Sequence, residues 1–242
     1  MRRILFFIIF IAMKQSGFSQ DVPAVDKINT SLGVVDLHFI GHGSLMFALK
    51  DYFIYIDPVR TSGSYDKLPK ADLILVTHEH GDHLDKDLIN TLRKDATVML
   101  ASEKAAAAVP WSKTMKNGDS EVVNGITIQA VPAYNIINVR APGQPFHPKG
   151  VGNGYVITIG DKKIYVAGDT ENISEMSQLK GIYIAFLPMN LPYTMTPAMV
   201  RDAALSFKPA VLYPYHYGET NTSEIVNLLK DSGIEVRIRN LK

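Results

Sequence analysis

The chain contains no cysteine. That excludes disulfides, thiolate metal ligands, a cysteine nucleophile and a lipid-modified cysteine behind a leader. Tryptophan occurs once, as Trp111, and reads as a packing residue. There is no run of lysine or arginine and no arginine stripe, so nothing suggests a nucleic-acid surface. Neither sign of charge dominates: 25 basic residues face 24 acidic ones, a formal net charge of +1. No tandem repeat of solenoid length is visible. Histidine is sparse, with seven in 242 residues.

Long apolar runs are scarce outside the N-terminus. There Arg2 and Arg3 precede the run Ile4 to Met13, and Gly17 and Ser19 stand before a possible cut at Ser19–Gln20. That is the layout of a secretory signal peptide, too short to cross a bilayer comfortably. The expectation is an exported protein, periplasmic or secreted, with residues 1–19 removed and no stable membrane association afterwards. Without Arg2, Arg3 and Lys14, the balance becomes 22 basic against 24 acidic residues. Residues 20–242 suit one domain, and 46% hydrophobic and 20% charged residues suit an ordinary packed core.

What is present concentrates in one stretch, Leu73 to His83, reading LILVTHEHGDH. Leu73 to Val76 is an uninterrupted apolar run, the pattern of a strand buried on both faces. Three of the seven histidines then arrive with Asp82 in six residues, and Gly81 permits a sharp bend. Imidazole nitrogen and carboxylate oxygen are the usual donors to a borderline metal such as zinc. In extended chain, residues two apart face the same way, so His78 and His80 suit one ion. Asp82 and His83, past the bend, suit a second, and two-metal sites hold their ions roughly 3.5–4 Å apart.

Around this stretch the pattern alternates between meanders and strand–helix units. Val34 to Ile40, Leu45 to Leu49 and Tyr52 to Ile56 read as an antiparallel meander ending at Asp57-Pro58. His42, between two glycines, reads as a turn residue, with a place on a pocket rim as the alternative. Asp85 reads as an N-cap for a helix bearing Leu88, Ile89 and Leu92, so the ligand loop joins a strand end to a helix. Thr97 to Leu100 reads as a strand and Ser102 to Ala108 as a helix. Glu121 to Val123 and Ile126 to Val131 form a hairpin across Asn124-Gly125. Gly154 to Ile159 and Lys163 to Ala167 form another, ending at Asp169. Then come a helix Ser174 to Leu179, a strand Ile182 to Leu187, a helix from Pro197, a strand Ala210 to Tyr213, a helix Thr222 to Leu229 and a strand Glu235 to Arg239. Tyr193 and Thr194 are placed near the cleft. Lys149, in a loop rich in proline and glycine, is a candidate for an anionic substrate group.

The HxHxDH motif at a buried strand end, followed by PAYN, AGDT and PYHYG segments, resembles the metallo-β-lactamase fold superfamily from about Val34 to Tyr217. Order and spacing are most similar to the compact branch that includes ascorbate-phosphate lactonases. The resemblance implies an α/β fold in a single domain: a four-layer αββα sandwich with metals at one edge between the sheets. It implies that Asp57 braces the ligand loop, that Asp169 bridges two metals and that His216 completes the second metal's set. Where the superfamily supplies a third histidine to the first metal, this chain has Asn135, and His147 is the candidate replacement. The implied activity is metal-dependent hydrolysis of a small ester, lactone, amide or phosphodiester by a metal-bound hydroxide. The metal set would be His78, His80, Asp82, His83, Asp169 and His216. Asp82 and His83 are the candidate catalytic pair, Asp82 orienting or shuttling a proton. One or two divalent ions are implied, zinc first, with manganese or iron compatible with so many oxygen donors. Two alternatives stand beside it: a phosphodiesterase with a basic pocket around Lys149 and Arg140, or a metal-binding protein without catalysis, suggested by Asn135.

Overall fold

The computed structural model describes residues 25–242; the expected leader, residues 1–19, lies outside the described residues. The first half of the chain lays down one sheet in sequential order: β1 (Val25–Thr30), β2 (Gly33–Gly41), β3 (Ser44–Leu49), β4 (Tyr52–Ile56), β5 (Leu73–Val76), β6 (Val98–Ala101) and β7 (Lys113–Thr114). The first four strands run antiparallel, and β4 through β7 run parallel. Helix α1 (Lys86–Leu92) connects β5 to β6, and α2 (Glu103–Ala108) connects β6 to β7. Asp85 caps α1 as expected, its carboxylate accepting the Leu88 N–H at 3.0 Å. Period-2 alternation makes β5 two-sided: Leu73 and Leu75 enter the core between the sheets, while Ile74 and Val76 face the helices.

The second half repeats the plan. Strands β8 (Ser120–Val123), β9 (Ile126–Ala133), β12 (Gly152–Ile159) and β13 (Lys162–Val166) run antiparallel. Strands β14 (Ile182–Pro188), β15 (Val211–Tyr215) and β16 (Glu235–Val236) continue from β13 in parallel. A short hairpin, β10 (Val139–Ala141) with β11 (Gln144–Pro145), stands apart from both sheets. Helices α3 (Pro197–Phe207) and α4 (Thr222–Leu229) cover the outer face. Asn124 and Gly125 both take positive φ, 50° and 75°, the geometry of a tight hairpin turn.

Several elements differ from expectation, among them β7 and the β10–β11 hairpin, neither of which was foreseen. β1 was not foreseen, because along VDKINT only Ile28 is buried and an edge strand carries little periodic signal. The expected helix at Ser174 is a 3-10 turn, Ser174–Gln178. The closing strand stops at Val236, well short of Arg239, which instead turns to pair with Asp26 at 2.7 Å.

Leu37, Phe47, Leu73 and Leu75 of the first sheet meet Ile128, Tyr155, Ile164 and Phe186 of the second. Each such buried side chain contributes about 1.5–3 kcal/mol relative to exposure. With helices on both outer faces the result is the four-layer αββα sandwich. The seam is pinned by polar contacts at one edge. The Tyr155 hydroxyl donates to the Val76 carbonyl at 2.8 Å, and the Asn153 N–H to the Thr77 carbonyl at 2.9 Å. This edge is where β5, β13 and β15 all end.

Candidate metal centre

The ligand loop leaves β5 at Thr77 and folds tightly, the His83 and Leu84 N–H groups both donating to the His80 carbonyl at 3.0 and 2.9 Å. Asp57, fully buried at the end of β4, holds it from behind. Its carboxylate accepts the Thr77 N–H and hydroxyl, each at 2.7 Å, and the His83 Nδ1–H at 2.8 Å. The Thr77 hydroxyl, having given its proton to Asp57, accepts from His78 Nδ1 at 3.0 Å. One carboxylate therefore fixes the tautomers of His78 and His83, leaving both Nε2 atoms to face the cleft. The bracing place expected for Asp57 is where the structure puts it.

Two groups of donors face each other across this edge. His78, His80 and His147 form the first; Asp82, His83, His216 and His42 form the second; within each, the donor atoms lie within 4.8 Å of one another. In the first, His80 Nδ1 stands 3.1 Å from His78 Nε2 and 3.2 Å from His147 Nε2. Asp169 lies between the groups. Its Oδ2 is 3.3 Å from His147 Nε2 and 3.5 Å from His216 Nε2, and its Oδ1 is 3.4 Å from His83 Nε2. His83 Nε2 and Asp169 Oδ1 are buried without any hydrogen-bond partner among the described residues. A buried imidazole nitrogen and a carboxylate oxygen aimed at each other are costly unless a positive charge, a proton or a metal ion, lies between them, and this nitrogen-and-carboxylate donor set fits divalent ions. All six expected ligands converge here, although they come from distant parts of the chain.

Asn135 is corrected by the structure. Its Oδ1 is taken up by His147, accepting the backbone N–H at 2.8 Å and the ring Nδ1–H at 2.7 Å. Its Nδ2 donates to Glu171 at 3.1 Å and to the Tyr193 carbonyl at 2.9 Å. With every polar atom engaged, Asn135 has nothing to offer a metal; it fixes the tautomer of His147, whose Nε2 points into the first group. Glu171 was missed, and His42, read as a turn residue with a pocket rim as the alternative, lines the cleft and enters the second group from the β2–β3 turn. Glu171, fully buried, accepts from Asn135 and from the backbone N–H groups of Ile136, Ile137 and Asn138 at 2.9, 2.8 and 2.7 Å. A lone glutamate two positions past Asp169 carries no signal of such a role.

Lys149 is also corrected. Its ammonium bonds Glu175 at 2.8 Å and the Tyr134 hydroxyl at 3.2 Å, and it is not among the residues lining the cleft. That cleft, about 550 Å³, is lined above Asp82, Asp169 and His216 by Arg140, Phe146, Asn190 and Tyr193. Tyr193 is thus at the cleft, as expected. Thr194 is fully buried, its carbonyl accepting from Asn138 at 3.1 Å.

The electrostatics follow from burying so many charges together. Burial opposes a proton on His83, yet the Asp169 and Asp57 carboxylates push the ring up to about 10. Burial likewise opposes charge on Asp169, and His216 and His83 hold its carboxyl well below the usual range. His78 is pushed well below an ordinary imidazole, by burial first and by the His83 charge second. Partial desolvation of Asp82 is outweighed by hydrogen bonds from His216 and His42, which keep it ionised.

The chain matches the Beta-lactamase superfamily domain over residues 36–216. A "UPF0173 metal-dependent hydrolase" of Pelotomaculum thermopropionicum is 33% identical over 190 residues, 74% of this chain and 82% of that one. A crystal structure from Parabacteroides distasonis, provisionally described as a metal-dependent hydrolase, has a TM-score of 0.87 at 45% identity, covering 91% of this chain and all of that one. Igni18, a metallo hydrolase of Ignicoccus hospitalis, has a TM-score of 0.72 at 24% identity over 86% and 95% of the two chains, a likeness of fold. Sandwich and cage together define the class, a metal-dependent hydrolase. The chain belongs to the beta-lactamase superfamily, among its UPF0173 metal-dependent hydrolases.

Proposed function

We propose that this hydrolase cleaves a small carboxylic ester or lactone, using two divalent ions held by the two donor groups and shared by Asp169. The observation that carries this is the position of Asp169, whose two oxygens face donors of both groups within 3.5 Å. Zinc is the ion proposed, on the strength of a nitrogen-rich first group, with manganese or iron as the alternatives. Ions in these positions would supply Lewis acidity and bring the pKa of water from 15.7 toward neutrality.

The chain's own residues do the rest. His78, His80 and His147 would hold one ion, and Asp82, His83 and His216 the other. Asp57 and Asn135 keep three of these imidazoles in the tautomer that presents a lone pair. Asp82, whose side chain is 49% exposed to the cleft, is placed to orient or carry a proton. Phe146 and Tyr193, with ring centroids 5.1 Å apart, form an apolar wall for the substrate body. A phosphodiester is the weaker reading, because Lys149 pairs with Glu175 and, among the described residues, Arg140 is the one lysine or arginine lining the cleft. A cleft of about 550 Å³ and the lack of a basic stripe favour a small molecule over a nucleic acid.

The basic and apolar pattern of residues 1–19 supports export to a periplasm or beyond, and no helix among the described residues is long and apolar enough to cross a membrane. Metal analysis combined with turnover of a lactone, a carboxylic ester and bis(4-nitrophenyl) phosphate tests the reading. Two ions per chain and faster ester or lactone hydrolysis are expected. Preferential cleavage of the phosphodiester would replace the substrate class.

A further inference from the structure

We propose that His42 is an additional side-chain donor to the second ion, beside Asp82, His83, His216 and the shared Asp169. The proposal rests on the metal-dependent reading of the centre and adds a residue that the HxHxDH motif does not contain.

The β2–β3 turn is built to deliver this side chain. His42 takes φ 50°, the left-handed region that a residue with a Cβ rarely adopts. Its neighbours are glycines for separate steric reasons. A Cβ on Gly41, at φ 148°, would lie 2.1 Å from the Ser62 carbonyl oxygen. A Cβ on Gly43 would lie 2.9 Å from the His83 ring. The turn is therefore pressed directly against a residue of the second group, at a distance only glycine allows.

The turn is also tied to the other end of that group. The His216 N–H donates to the His42 carbonyl at 3.2 Å, and the two imidazoles stand 3.8 Å apart at 40°. His42 Nε2 is 3.2 Å from Asp82 Oδ2, the same oxygen that faces His216 Nε2 at 3.4 Å. Two imidazoles and a carboxylate thus aim at one point, and His83 Nε2 lies 3.7 Å from that oxygen. A surface histidine serving only the turn would have no reason to face inward. With its side chain 25% exposed, His42 reaches the ion from the cleft side, whereas His83 and His216 reach it from the protein interior.

His42→Asn and His42→Gly test this, because both residues accept a left-handed backbone and leave the turn intact. The mature chain is loaded with zinc or cobalt and dialysed against a fixed concentration of chelator. Wild type is expected to retain two ions per chain and both variants one, with the affinity for the second ion weakened on the order of tenfold or more. The visible absorption of the cobalt form, which reports coordination number, is expected to change in both variants. The metal-free variants should melt no lower than metal-free wild type, since the left-handed strain is gone. Two ions retained within twofold of the wild-type affinity, with an unchanged cobalt spectrum, would overturn the proposal. A wild-type chain that binds no divalent ion would instead overturn the metal-dependent reading beneath it.

Discussion

Asn135 shows how much one amide can settle at the residue scale. It donates both hydrogens and accepts twice, a combination no carboxylate or imidazole offers. Asn135→His, which would restore the superfamily's usual residue, is therefore expected to loosen the first ion at least tenfold, measured by competition with a chelating dye; tighter binding would mean that Asn135 does not act through His147. His83 makes a second prediction. Its ring is pushed up to about 10 in the metal-free chain, above the ordinary 6.5. The stability it contributes is thus complete below pH 6.5 and is lost as pH climbs through about 10. An ion must displace that proton, so binding at pH 7 should release about one proton from His83, and affinity should rise with pH. Calorimetry in buffers of different ionisation enthalpy measures this; no proton release would contradict it. The candidate donors of HxHxDH were legible because the motif is dense, and Asp169 and His216 because their segments resemble those of the superfamily. His42 was legible only as a turn residue or a rim residue, and Glu171 not at all, since an isolated glutamate looks ordinary until the fold brings it beneath the site.

At the scale of elements, the segment from Tyr134 to Gly150 does most to complete the first donor group. It carries Asn135, the hairpin β10–β11 and His147, and its start is held by three backbone N–H groups on the buried Glu171 carboxylate. Glu171→Gln turns one acceptor into a donor facing other donors. It should cost about 1–3 kcal/mol in stability and release the first ion while the second stays bound. Thermal melts, metal stoichiometry and hydrogen exchange over residues 134–150 check this; loss of both ions together would indicate a global effect. The regular elements were legible where burial is periodic, as in β5 and α1. β1 and the β10–β11 hairpin were not, because β1 buries one side chain and β10–β11 none. Whether Asn135 or His147 faced the metal was likewise beyond the sequence, since it depends on how that loop doubles back.

At the scale of the molecule, the two halves share one plan: four antiparallel strands, then three in parallel. Asp57 and Asp169 occupy matching places, each just past the fourth strand of its sheet. One braces the ligands from inside and the other faces both donor groups, so the cage exists only while the sheets are docked. Ions should therefore stabilise the whole fold, by about 2.7 kcal/mol at a hundred times the dissociation constant. The most direct test is anomalous diffraction from metal-loaded crystals. Two peaks about 3.5–4 Å apart, each touching one oxygen of Asp169, are expected. A single peak, or peaks that leave Asp169 untouched, would contradict the shared two-ion centre.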